Sequence, residues 1–217
     1  MMRALNLYAR IGGNRKLWPD YIKVTAVELV PEIAQIYKDL YPTDNVIVAD
    51  AHQYLLENYH KFDFIWSSPP CVSHSDIRRM AAMGGQYNPV YPDMNLYQEI
   101  IFLSTFYKGN WVVENTKPYY KPLIRAYEVG RHLFWSNFPI SKKKLSDSCI
   151  IRDISSNSEI YGFNLKKYSL SSRKDQILRN CVNPKLGLHV FNCAFKEVQN
   201  TLQNTKKVNK GETNDKK

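Results

Sequence analysis

The apolar run Phe62-Asp63-Phe64-Ile65-Trp66 stops at Ser67-Ser68-Pro69-Pro70 and delivers Cys71. A strand that ends in two prolines and hands a cysteine to a loop presents a sulfur nucleophile at the carboxyl edge of a sheet. A free thiol, with a pKa of roughly 8.5, needs help from its surroundings to act as a thiolate near neutrality. The same tripeptide is equally a strand terminator in front of a buried thiol, so the other reactive groups and their spacing must decide. Glu28, Asp50 and the pair Glu114-Asn115 each follow a run rich in β-branched residues. Carboxylates at strand ends can accept hydrogen bonds from a ligand or move a proton. In Ala9-Arg10-Ile11-Gly12-Gly13-Asn14 the glycines let backbone approach a ligand closely.

Positioning these groups requires a sheet with its strand ends on one edge. Residues 3–8 read as a strand and 22–28 as a second. Pro31 then opens an amphipathic helix through Ile33, Ile36, Tyr37 and Leu40, which Pro42 stops. A third strand at 46–49 closes on Asp50, which also reads as the N-cap of a helix over 51–59, and 62–66 is the fourth strand. This alternation predicts an α/β fold, a doubly wound and mostly parallel Rossmann-like sheet with ligands outside the carboxyl ends of its strands. Glu28, Asp50 and Cys71 all fall at that edge.

Residues 72–93, with Gly84-Gly85, Pro89 and Pro92, are long for a connection and read as an irregular lid or substrate-binding segment. A helix at 94–107, a fifth strand at 111–113 and a sixth at 132–135 follow. Residues 136–172 are polar and rich in Ser and Lys, and read as an inserted recognition segment. Residues 185–202 read as a helix and 204–217 as a disordered basic tail, leaving one catalytic domain over 1–203.

A chain of 217 residues, 44% of them hydrophobic, can bury one substantial core. It has no apolar run long enough to span a bilayer and opens without a signal-peptide stretch, so a cytoplasmic location is expected. Cysteines at 71, 149, 181 and 193 lack the paired spacing of a zinc site and read as reduced thiols, with no metal expected. The net charge of +10 is concentrated in Arg78-Arg79, Lys142-Lys143-Lys144, Lys166-Lys167, Arg173-Lys174 and the tail. Such clusters suit a polyanionic partner and equally a merely soluble surface.

Taken in order, these stretches resemble the DNA cytosine-5 methyltransferases. LNLYARIGG is similar to the family's first motif, the glycine loop that holds the cofactor, with Tyr8 where the family has Phe against adenine. Glu28, with Leu29 after it, looks like the ribose-binding acid, and Asp50, with Ala51 after it, like the acid that receives the adenine amino group. SSPPCVSHS matches the Pro-Pro-Cys motif, with Ser75 at the family's serine position. VVENT matches the Glu-Asn motif, and LRNCVNP the last motif, which precedes the C-terminal helix.

The resemblance implies S-adenosylmethionine as cofactor and duplex DNA as partner. The target cytosine would be flipped out of the stack at a cost of a few kcal/mol. It also implies Cys71 as nucleophile on C6, Glu114 as acid at N3 and Arg131 as the arginine that assists at O2. Tyr8, Ala9, Ile11, Gly12, Gly13, Glu28, Leu29, Asp50, Ala51, Pro69, Asn180 and Val182 are expected around the cofactor. Ser75, Arg78, Arg79 and Asn115 are expected against the substrate, with His74 either touching it or facing solvent.

The chain departs from the family at Asn6 for Asp, Arg10 for Gly, Thr116 for Val, and Arg179 and Cys181 for Gly and Ala. The segment 136–172 is much shorter than the family's recognition domain. This points to a short target as in small phage enzymes, to recognition by a partner subunit, or to another substrate such as RNA. A degenerate or split binding subunit and an amino methyltransferase are the competing readings, and Cys71 argues against the latter.

Overall fold

The computed structural model describes residues 1–143, 161–170 and 173–196. The middle of the predicted recognition segment, the end of the predicted C-terminal helix and the predicted tail lie outside them. Seven strands form one sheet: β1 (Arg3–Leu7), β2 (Lys23–Glu28), β3 (Asn45–Val48), β4 (Phe64–Ser67), β5 (Asn110–Thr116), β6 (Tyr127–Val129) and β7 (His132–Ser136), in the order β3-β2-β1-β4-β5-β7-β6. β7 runs antiparallel to both its neighbours, whereas the other pairings are parallel. The fold is a doubly wound, Rossmann-like α/β sheet whose order reverses between β1 and β4, the crevice where ligands bind in such sheets.

Alternation sends each strand's side chains to opposite faces. Ala4, Val24, Phe64, Trp66, Val112 and Phe134 face a layer made by Trp18 and by Leu186, Val190 and Phe191 of α6 (Pro184–Ala194). Tyr37 of α1 (Pro31–Leu40) joins that face through Ala26. Leu5, Leu7, Ile65, Val113 and Trp135 face α2 (Ala51–Asn58) and α4 (Asn95–Phe106), which supply Leu55, Leu96, Ile100 and Leu103. A short helix, α5 (Lys174–Arg179), packs Ile177 and Leu178 against Ile11, Ile33 and Ile36.

Two features differ from the sequence expectation. The stretch 72–93 is not irregular throughout, because α3 (Asp76–Met83) forms within it, capped by the Ser75 hydroxyl, which accepts from the Arg78 N–H at 3.2 Å. An extra strand, β6, precedes β7. They are joined by Gly130-Arg131, with Gly130 alone at positive φ (62°), as a two-residue II′ hairpin requires.

Candidate active site at the carboxyl edge of the sheet

The glycine loop leaves β1 in a conformation unusual for its residues. Tyr8 and Arg10 are the non-glycine residues with positive φ, 53° and 51°, among the described residues. Left-handed backbone at Arg10 accounts for why a glycine suits that place; a side chain there is strained by about 1–2 kcal/mol. The loop is held by Glu28, whose buried carboxylate accepts from the Arg10 N–H at 2.9 Å and the Val30 N–H at 3.1 Å. Gly13 lies so close to the last motif that a Cβ would sit 2.4 Å from the Val182 carbonyl and 2.9 Å from the Cys181 Cβ. Asn6, at the position of the family's Asp, pairs with Asn14: the Asn14 amide donates to Asn6 Oδ1 at 2.8 Å inside the core. Beneath the loop, buried Arg15 donates to both oxygens of Asp44, at 3.0 and 3.2 Å, and Tyr37 donates to the same acid.

At the end of β4, the Pro69 carbonyl accepts from the Asn115 side chain at 2.9 Å, so Asn115, 2% exposed, orients the Pro-Pro turn from inside the protein. The Cys71 carbonyl accepts from the N–H groups of His74 and Ser75, a tight turn that starts α3. His74 is neither solvent-facing nor free to touch substrate. It is fully buried, with Nε2 3.0 Å from the Asp93 carbonyl and Nδ1 2.6 Å from the Tyr120 hydroxyl. A carbonyl only accepts, so Nε2 carries the proton and Nδ1 receives the tyrosine's. Burial lowers the His74 pKa, as this neutral tautomer requires. The Ser73 hydroxyl accepts from the Asp93 N–H at 2.9 Å, tying together the two ends of the 72–93 stretch.

The Cys71 thiol is shifted upward, first by burial and then by the Glu114 carboxylate, while the guanidinium groups of Arg10 and Arg131 pull it down. Desolvation therefore outweighs the two cations in the free protein, and the help that the thiol needs to become a thiolate is not present before substrate arrives. Glu114, Arg10 and Arg131 nevertheless share one electrostatic neighbourhood with Cys71.

Glu114 is buried on the α6 face of β5, and its Oε1 lies 2.6 Å from Nδ1 of His132 on β7. The two are diagonal neighbours across the antiparallel pair. Arg131 does not reach the carboxylate: its Nε donates to His132 Nε2 at 3.3 Å and its Nη2 to the Arg179 carbonyl at 3.0 Å. Since guanidinium only donates, His132 directs its Nδ1 proton to Glu114. Sequence reasoning missed His132, reading it as an ordinary strand residue.

A second buried acid was also missed. Glu99 of α4, 1% exposed, receives the Tyr8 hydroxyl at 2.6 Å and the Ser67 hydroxyl at 2.5 Å, and its Oε1 lies 3.0 Å from His52 Nδ1. It thereby joins the glycine loop to the head of the Pro-Pro-Cys turn. The Glu99 carboxylate also raises the pKa of His52.

The remaining predicted positions divide by exposure. Asp50 caps α2, with Oδ1 accepting from the Gln53 N–H at 2.8 Å, and is exposed, leaving its other oxygen available. Leu29 is 62% exposed beside Glu28. Ala9, Ile11, Ala51 and Val182 are buried core residues, so contact with a ligand would come from their backbone. Asn180 is the exposed C-cap of α5. Arg79 is paired with Asp76 at 2.7 Å, whereas Arg78 stacks on the Tyr87 ring.

No protein-family model and no curated protein matches the chain. Among solved structures, a variant of Spodoptera frugiperda DNMT2 is 23% identical, with a TM-score of 0.39 over 54% of this chain and 36% of its own. An Escherichia coli prophage protein, provisionally assigned as a DNA modification methyltransferase, is 15% identical, with a TM-score of 0.37 over 56% of this chain and 34% of its own. A SAM-dependent methyltransferase from Agrobacterium tumefaciens is 13% identical, with a TM-score of 0.34 over 55% and 40%. The chain thus spans well under half the length of each.

Proposed function

We propose that the protein is a cytosine-5 methyltransferase acting on nucleic acid, with duplex DNA carrying a flipped cytosine as the first substrate to test. The observation that carries this reading is the convergence of Cys71, Glu114, Arg10 and Arg131 at the ends of adjacent strands, where each of the three charges acts on the thiol.

The residues at the β1–β4 crevice fit S-adenosylmethionine. Glu28 uses two of its roughly four acceptor sites on backbone N–H groups, leaving capacity for a ribose diol. The free oxygen of Asp50 suits an exocyclic amine, and the half-buried Tyr8 offers a ring face. When bound, that group supplies an electrophilic methyl.

The chain's own work is on the cytosine. Cys71 Sγ adds to C6, its proton leaving to solvent as the incoming base displaces water and Arg10 and Arg131 favour the anion. Charge displaced onto the ring is neutralised by a proton delivered to N3 from Glu114, whose Oε2, an atom with no hydrogen bond among the described residues, takes that proton from solvent as the base enters. Arg131, at the hairpin tip, is the donor assigned to O2, and His132 holds Glu114 in place. Recognition of a short target falls to the lid and to residues 136–172, or to a partner subunit.

The test is covalent trapping on duplex DNA containing 5-fluorocytosine with S-adenosylmethionine present, and in parallel on the matching RNA. Wild type should form an adduct that Cys71→Ala abolishes. An adduct that persists in the variant, or none on either strand type, refutes the assignment.

A further inference from the structure

The lid carries a cavity of its own, of about 170 Å3, walled by Arg78 and Met83 of α3, by Pro89 and Val90, and by Ser73 and Tyr119. Cys71 is not part of its wall, although Ser73 stands only two residues away. It has room for a planar ring: an apolar cavity of roughly 150 Å3 takes up benzene.

Three features identify the missing occupant. First, α3 buries none of its residues, and Ile77 and Met83 are 82% and 76% exposed, so this helix is only loosely packed on the described chain. Second, the two lid arginines differ. Arg79 is neutralised by Asp76, whereas Arg78 makes no ion pair among the described residues, and its Nε is buried without a hydrogen-bond partner. Third, the Arg78 guanidinium lies 4.0 Å from the centre of the Tyr87 ring, which fixes its plane and leaves its edge for an anion. An uncompensated guanidinium beside an apolar slot for a planar ring matches a nucleotide: a base in the slot and its phosphate on the arginine.

We infer that this cavity is a second nucleotide subsite, taking an unstacked base near the target base with that nucleotide's phosphate on Arg78. A planar base fits the volume. The inference rests on the nucleic-acid reading above, yet the site is distinct from the reacting centre.

The chain has five methionines, so labelling their methyl carbons gives five NMR signals, of which Met83→Leu identifies the one in the cavity wall. Titration with dCMP and CMP, whose relative affinities separate a DNA from an RNA source, should shift the Met83 signal, and inorganic phosphate alone should not. Arg78→Gln should weaken the effect about tenfold, as loss of a charge-assisted contact predicts. An unmoved Met83 signal, an equal response to inorganic phosphate, or an unchanged affinity in Arg78→Gln overturns the inference. Covalent trapping reports separately on Cys71: adduct formation with a silent Met83 refutes only the subsite, and a responsive Met83 without adduct refutes only the cytosine chemistry.

Discussion

Replacing Glu99 tests whether the glycine loop and the Pro-Pro-Cys turn are held as one unit. Its carboxylate receives the Tyr8 and Ser67 hydroxyls and pairs with His52. In Glu99→Ala all three lose their partner, but unequally. Ser67 is fully buried and cannot turn to water, whereas the His52 side chain is 33% exposed and can. A buried polar group left without a partner costs about 1–3 kcal/mol. Full loss at Ser67, partial loss at Tyr8 and His52, and the small cavity left by the side chain together give about 3–5 kcal/mol. Glu99→Gln keeps one acceptor oxygen but turns an amide toward a donor, for about 1–2 kcal/mol.

At roughly 2–4 °C per kcal/mol for a chain of this size, the alanine variant should melt roughly 6–20 °C lower. Urea titration with the slope held common would give the free energies directly. The pH dependence supplies an independent check. His52 has a folded-state pKa above its unfolded value because of Glu99. Its contribution is therefore complete below the unfolded pKa and is lost as pH rises through the folded one. Wild type should lose this part of its stability above about pH 6.5, and both variants should lose less. His74, lowered by burial, acts in the opposite sense: its contribution is present above its unfolded pKa and falls away in acid, in all three proteins alike. An alanine variant within about 0.5 kcal/mol of wild type would show that the three hydrogen bonds carry no net stability, and the idea of a joined pair of loops would fail.

Alkylation of Cys71 by iodoacetamide, followed peptide by peptide with mass spectrometry, should show a thiol that reacts only at pH above the ordinary range. Glu114→Gln should speed it at fixed pH and Arg131→Gln should slow it, because these charges act on Cys71 with opposite sign; equal rates in all three would refute the proposed neighbourhood. Arg10→Gly should have two effects of opposite character. Release of the left-handed strain should raise stability by about 0.5–1 kcal/mol after the entropy of glycine is deducted. Loss of the guanidinium should slow Cys71 alkylation, and a destabilised glycine variant would contradict the strain at φ 51°.

What the sequence displayed and what it hid have one physical origin. The strands were legible because β-branched and aromatic runs alternate with helical periodicity, and because prolines and glycines punctuate them. The runs before Glu28, Cys71 and Glu114 were visible for that reason. β6 escaped because three residues at a sheet edge, with Tyr127 and Glu128 exposed, carry no alternation. α3 escaped because its apolar residues face outward and the Gly and Pro around them read as loop. Partners were harder still, since Glu114 meets His132 18 residues later and Glu99 meets Tyr8 91 residues away. One signal was nevertheless present. Glu99 stands three residues after Leu96 and one before Ile100, inside the helix's apolar stripe, where a charged residue is buried only if it is paired. Such an acid announces a buried donor elsewhere before the donor can be named. Here the donors are the first residue beyond β1 and the last of β4. The strand crevice is therefore held together by a helical residue whose sequence context marks it as out of place.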